Sequence, residues 1–306
     1  MNLFSLAKAF PTEEAALEYW IGMRWPNGVR CLACDHDKVY RIETVGKTGK
    51  SCLMFECAEC ELHFSPTVGT LFHDSHLPMQ KWFATIALMV ESKKGISASQ
   101  VARHIGVTYK TAWYLCHRIR EAMQEDKAMT LGSETTTVEI DETYVGGRVA
   151  GKGLKAAKAA KTIVLGIAER DGRIHLQTIA GQKVSNVRPV LDTRLSTKTK
   201  QVVTDGNAVY RFLIPAEKHR ETIHKEEIKT KGFVSTQTVE NAFSLFKRGI
   251  VGNYHKLSKE HLDRYLSEFC WRYNRRHAQS QLFDMALANL ADKKPLPYKK
   301  LTYEEF

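Results

Sequence analysis

Two short cysteine pairs, Cys31-Leu-Ala-Cys34 and Cys57-Ala-Glu-Cys60, restrict this chain more than any other feature. Each CxxC turn presents two thiolates to one point, and two such turns supply the four sulfurs of a tetrahedral metal shell. Twenty-two residues separate the pairs, enough for short strands over Val39 to Ile42 and Cys52 to Glu56. The spacing predicts a zinc ribbon ligated by Cys31, Cys34, Cys57 and Cys60. A redox dithiol needs only one CxxC in a βαβ setting, which neither pair has. Cys52 and His63 lie close enough in sequence to be alternative ligands, although neither completes a CxxC. Five of the seven cysteines crowd into thirty residues, and Cys116 and Cys270 stand alone, so a disulfide framework is not expected. Cys116 reads simply as buried. A metal here holds together a fold with too little core to stand without it.

Periodicity on either side of the ribbon is helical. Pro11 and Thr12 open a helix with Glu13 and Glu14 in its first turn, where the helix dipole favours negative charge, and WPNG closes it. A second apolar helix begins after Pro78. Ile96 to Gly106 and Val107 to Arg120 then read as helix, turn at Gly106, and helix capped by Thr108. That is the order of a helix-turn-helix, whose second helix enters a major groove with Thr108, Tyr109, Lys110, Thr111 and Arg118 as candidate DNA contacts. The plainer reading is a trihelical packing module, since Ala102, Ile105, Val107, Ala112, Leu115 and Ile119 account for most of the apolar pattern.

From Thr136 the period changes to two. Thr136 to Asp141, Lys161 to Ala168 and Arg173 to Ile179 read as a three-stranded meander with a turn at Asp171-Gly172. A helix is expected near Val187 to Leu195, a strand over Gln201 to Thr204, a short strand near Glu221 to His224, and a long helix from about Thr238. This order is that of a ribonuclease H-like α/β domain. The predicted organisation is therefore α/β: residues 1–70 helix and zinc ribbon, 71–130 helix-turn-helix, 131–285 catalytic domain, and 286–306 a tail.

Charge agrees with a polyanionic partner. The 306 residues carry a net charge of +11, and residues 131–306 alone hold 30 Lys and Arg against 20 Asp and Glu. Each phosphate neutralised by such a surface releases condensed counterions. No apolar run approaches the roughly 18 to 20 residues that span a bilayer, and the first twenty residues lack the pattern of a secretion signal, so a cytoplasmic protein without membrane contact is expected.

Three acids fall where this fold order brings them together. Asp141 ends the first strand, Asp205 ends the fourth, and Glu240 lies on the helix after the fifth. Hard oxygen ligands in a cluster suit Mg2+ or Mn2+, and two such ions support in-line phosphoryl transfer. Each acid also has a bland reading: Asp205 in TDGN as a turn residue, Asp141 as an edge charge with Glu139 and Glu142 competing as ligands, Glu240 as a solvated helix face.

The segments IDETYVGG, VVTDGN and TQTVENAFSLFKRGIVGNYHKLSKEHLDRYLSEFCWRYNRR, together with FSPTVGTLFHDSHLPMQKW after the ribbon, resemble the motif blocks of zinc-ribbon DDE transposases of prokaryotic insertion sequences, the IS fifteen-ninety-five group and its ISXO-type members. The resemblance implies a metal-dependent DDE-type site with Asp141 and Asp205 as its aspartates. Members carry either Glu or Asn in the third role, and Glu240-Asn241 offers both. At about 100° per residue, Glu240 and Lys247 fall within about 20° of one another, whereas Asn241 and Lys247 diverge by about 120°. A lysine on the ligand's own face suits a scissile phosphate, which favours Glu240 with Lys247 and leaves Asn241 as the alternative.

Further basic residues read as backbone contacts that position DNA. They are Lys152, Lys155, Lys158 and Lys161 in the insertion after the first strand, and Arg248, Lys256, Lys259, Arg264, Arg272, Arg275 and Arg276 near the C-terminus, with Trp271 and Tyr273 interleaved. The expected function is that of a transposase that binds double-stranded DNA at terminal inverted repeats and at a target, cleaves and transfers strands, and pairs two ends as a homo-oligomer at the nucleoid. The rival readings are a catalytically silent DNA-binding regulator derived from such an enzyme, and a nuclease that cuts without joining.

Overall fold

A computed structural model describes residues 3–45, 51–126, 128–146, 161–222 and 235–302. The chain divides into two compact units, one formed by residues 1–92, 98–122 and 278–306, the other by residues 93–97 and 123–277.

The first unit opens with α1, Leu3–Ala9, and α2, Glu13–Arg24. The Thr12 hydroxyl oxygen accepts from the Ala15 amide at 3.2 Å, the N-cap that the sequence predicts. Three antiparallel strands follow, β1 Val39–Val45, β2 Ser51–Cys57 and β3 His63–Phe64, in that spatial order. Their core is small: Phe55 and Phe64 pack with Ile21 of α2 and little else is fully buried. Next comes α3, Met79–Glu91, whose first two amides donate to the Glu13 carboxylate at 2.7 and 3.2 Å. Helices α4, Ala98–Ile105, and α5, Tyr109–Ala122, meet at Gly106, whose φ of +62° suits glycine at the end of a helix.

The second unit is built on a five-stranded sheet. Strands β4, Thr137–Val145, β5, Thr162–Glu169, and β6, Ile174–Ile179, form an antiparallel meander. After α6, Val184–Arg194, strand β7, Gln201–Thr204, runs parallel to β4, and β8, His219–Glu221, runs parallel to β7. The spatial order is β6-β5-β4-β7-β8. Alternation along β5 feeds two cores: Val164 and Ala168 face α7, Gln237–Gly249, and α8, Leu262–Asn274, while Leu165 and Ile167 face α6. Gly166 lets α7 approach, because a Cβ there would stand 2.6 Å from both Phe243 and Val239. A π-helical turn, Ile250–Tyr254, follows α7.

The chain then returns to the first unit with α9, Leu282–Asp292, and α10, Tyr298–Thr302. Residues 286–306 are thus no simple tail: Leu287, Leu290, Leu296 and Leu301 are buried, and just before them Phe283 meets Phe83 of α3 edge-on at 5.4 Å. The contacts divide the chain at 122 and 277 rather than at 130 and 285. Helix α1 has no counterpart in the sequence reading, and the fifth strand starts two residues earlier than expected. Lys152, Lys155 and Lys158 lie outside the described residues.

Candidate active site and metal centre

The parallel register of β4 and β7 sets Ile140 beside Thr204, so the next residues, Asp141 and Asp205, emerge side by side. Carboxylate oxygens of Asp141, Glu142 and Asp205 all lie within 4.8 Å of one another. Burial pushes the Asp141 carboxyl up to about 7; a hydrogen bond from the Glu142 amide at 2.7 Å opposes this, while the negative charges of Asp205, Glu142 and Glu240 add to it. Glu142 is also raised, chiefly by burial, although the fully buried Tyr210 donates its O–H to the carboxylate at 2.6 Å. Asp205 accepts from the Asn207 amide at 3.2 Å, and Asn207 in turn caps the short turn Ala208–Phe212. An excess of carboxylates in a half-buried place, one of them holding its proton to neutral pH, is a donor set that fits a divalent cation.

Glu240 stands in the first turn of α7, exposed, and accepts from the Thr236 hydroxyl at 2.7 Å. It lies outside the three-acid group but close enough for its charge to act on Asp141. Asn241 is exposed beside it. Lys247 donates to the Thr143 hydroxyl at 2.5 Å; burial and the charge of Lys161 lower its pKa, and Asp141 opposes them. Glu139 does not compete as a ligand, because both its oxygens are taken by Arg170 and by the start of α7.

At the ribbon, Cys31 and Cys60, Cys34 and Cys57, and Cys34 and Cys60 place their sulfurs 3.5 Å apart. A disulfide would need about 2.05 Å, whereas a tetrahedral zinc ion with bonds of about 2.3 Å separates sulfurs by about 3.8 Å. The thiols therefore fit zinc. Both knuckles fold alike: Asp35 and Glu61 follow the second cysteine at φ of 59° and 55°, and their amides return to the carbonyls of Cys31 and Cys57 at 3.1 Å. Cys52 and His63 are not part of the four-sulfur group.

The proposed DNA contacts fare unevenly. Thr108, Tyr109 and Lys110 are exposed at the start of α5; Thr111 is half-buried and its amide is capped by Thr108. Lys110 holds its ammonium 4.8 Å over the Tyr298 ring. Arg118 is a correction. It is 4% exposed, donates to the His73 carbonyl and lies between Trp82 and Tyr114, so it is part of the core and cannot reach a groove. Arg248 is exposed at the end of α7. Arg275 donates to Glu125 at 2.6 and 3.2 Å and covers Trp271, while Arg276 donates to the carbonyls of Gly172 and Asp171 and covers Tyr273. Arg272 is buried against Glu268. The aromatic residues read as interleaved with a DNA-facing surface are thus the stacking partners of these arginines. Tyr210 escaped the sequence reading because its partner lies 68 residues away and no local pattern marks the pairing.

Comparison with known proteins accords with this geometry. An ISXO2-like transposase domain matches residues 132–274, and a transposase zinc-ribbon domain matches residues 11–63. Over these two segments the chain is similar to ISXO2-like transposases that carry a zinc ribbon. An uncharacterized protein in transposable element ISH50 of Halobacterium salinarum is 27% identical over 281 residues, covering 86% of this chain and 91% of that protein. The two matched segments carry the two clusters just described: four thiols in the zinc-ribbon match, and Asp141, Glu142 and Asp205 in the transposase-domain match. No helix among the described residues is long and apolar enough to cross a membrane.

Proposed function

We propose that this protein is an active insertion-sequence transposase that binds the ends of its element and catalyses metal-dependent cleavage and transfer of DNA strands in the cytoplasm. One observation carries the reading: the parallel pairing of β4 with β7 gathers Asp141, Glu142 and Asp205, and Glu240 of α7 acts on the same group. The strand order, a meander followed by two parallel strands with helices on both faces, supports a ribonuclease H-like fold for this unit.

Asp141, Asp205 and Glu240 would hold Mg2+ or Mn2+, with Glu142 beside them in the place first considered as a competitor. Bound divalent ions supply an activated attacking oxygen and stabilise the leaving one in an in-line displacement. The chain's own groups do the rest. Tyr210 orients Glu142 through its hydroxyl, and Lys247, held by Thr143 two residues beyond Asp141, offers a positive charge to the phosphate. Structural zinc at Cys31, Cys34, Cys57 and Cys60 shapes the ribbon. Helices α4 and α5 act as a helix-turn-helix that presents Thr108, Tyr109, Lys110 and Thr111 to terminal repeats, and Arg248 steadies the DNA backbone. Two ends must be brought together with a target, which calls for a homo-oligomer on double-stranded DNA.

The test is cleavage and joining in vitro with Mg2+ on DNA bearing the element's ends and a separate target. Wild type is expected to join ends, Asp205→Ala and Glu240→Gln to lose at least about a hundredfold in rate, and Asn241→Ala to stay within a few fold. A dead Asn241→Ala beside an active Glu240→Gln would move the third role to Asn241. Cutting without joined product would make the protein a nuclease, and binding without cutting would make it a regulator.

A further inference from the structure

The amides at the start of a helix need partners, and the residue before the helix normally supplies one from its side chain. In α7 that residue is Thr236, yet it makes no capping hydrogen bond; its hydroxyl donates instead to Glu240 at 2.7 Å. The cap comes from another element. Glu139 of β4, 1% exposed, accepts from the amides of Thr238 at 2.6 Å and Val239 at 3.1 Å through one oxygen. Its other oxygen accepts from the Thr238 hydroxyl at 3.0 Å and from Arg170 Nε at 2.9 Å. Arg170 also donates to the Ser235 carbonyl at 3.0 Å, tying down the residue that leads into the helix.

Side chains two apart on a strand share a face, so Glu139, Asp141 and Thr143 look the same way from β4. Glu139 holds the first turn of α7, and Thr143 meets Lys247 in its last turn. Asp141 lies between these two attachments. A buried carboxylate would be costly without such partners, and here it is neutralised by Arg170 and by helix amides that favour negative charge.

We propose that Glu139 is a positioning residue of the metal centre: by capping α7 from β4 it sets the reach from Asp141 to Glu240 and leaves Thr236 free to orient the Glu240 carboxylate. This rests on the reading of Glu240 as the third ligand. It assigns Glu139 no contact with substrate or metal.

The experiment uses the full chain without DNA and reads two quantities, hydrogen exchange of the peptide spanning Thr238 to Ala242 and the affinity for Mn2+. Glu139→Gln keeps the shape but removes the charge and turns one acceptor into an NH2 donor, which must face either the helix amides or the Arg170 guanidinium and so breaks up the cap in either orientation. It is expected to speed exchange at the start of α7 and to weaken Mn2+ binding about tenfold, the lower end of what outer-shell partners of metal ligands cost. In a Glu240→Gln background the same change is expected to cost less than about twofold, because its route to the metal has been removed, whereas in a Glu142→Gln background the full loss should remain. Unchanged exchange would overturn the cap, and an equal Mn2+ loss with and without Glu240 would overturn the positioning role. Should Glu139→Gln fail to fold, Thr238→Val, which removes one hydrogen bond and keeps the carboxylate, is expected to show the same dependence on Glu240 at smaller amplitude, and additivity there would overturn the proposal. If Glu240→Gln alone leaves Mn2+ affinity unchanged, the third-ligand reading fails, and the exchange arm by itself decides the cap.

Discussion

Asp141 has its carboxyl raised to about 7 while the same group in an unfolded chain titrates near 3.8. Between those two values the folded state holds a proton that the unfolded state has lost, so metal-free protein loses stability as pH rises from about 4 to 7, and the penalty is complete above 7. At about 1.4 kcal/mol per pH unit of separation this penalty is on the order of 4 kcal/mol at most. Asp141→Asn in EDTA is therefore expected to melt higher than wild type at pH 8 and to lose that advantage near pH 4. Adding Mn2+ at pH 8 should raise the melting temperature of wild type only; equal pH curves for the two proteins in EDTA would count against the buried, crowded carboxyl. The position of Asp205 was legible because the end of β7 follows from local alternation and a turn, whereas Asp141, expected at a strand end, lies at the middle of β4, which continues to Val145 and is aligned with β7 only by tertiary pairing. The arginines were not: Arg118, Arg275 and Arg276 spend their donors on His73, Glu125 and Gly172, partners 45, 150 and 104 residues away. A basic residue in sequence gives no sign of whether its counterion is protein or DNA.

Elements were read more securely than residues wherever the period was long or the turn explicit. The meander β4 to β6, helix α6 and strand β7 follow from alternation, apolar spacing and the turn at Asp171, whose φ is +55°. Helix α7 was expected, but its cap was not, since Glu139 stands 99 residues before Thr238 and contributes through tertiary structure alone. The ribbon is the element most dependent on something other than packing: Ile21, Phe55 and Phe64 make up its buried core. Removing zinc with a strong chelator is expected to abolish the β1 to β3 pairing, seen as lost amide protection at Phe55 and Phe64. Cys34→Ser should purify with much less than one zinc per chain by elemental analysis. Retained protection in the chelated protein would show that the aromatic cluster suffices without the metal.

Across the whole molecule the chain enters the first unit, leaves at Ala122, builds the second, and comes back at Ala278. The return is not decorative. Phe10, Phe83 and Phe283 pack together from three distant segments, the Leu71 amide donates to the Leu290 carbonyl at 3.2 Å, and Tyr19 donates to Asp284 at 2.7 Å. Deleting residues 278–306 strips six large buried side chains, Leu282, Phe283, Leu287, Leu290, Leu296 and Leu301, each worth about 1.5 to 3 kcal/mol. That total is comparable to the whole stability of an ordinary domain. The truncated protein is expected to lose protease resistance throughout residues 1–122 while residues 123–277 keep a protected fragment; a protected N-terminal fragment would refute this. Sequence alone could not show the return, because α9 has the same apolar pattern whether it closes its own domain or an earlier one. A ribosome delivers α9 and α10 only after the second unit, so translation doubles as a length check: a copy that stops at His277 can finish its second unit, but its first stays open until these returning helices are made.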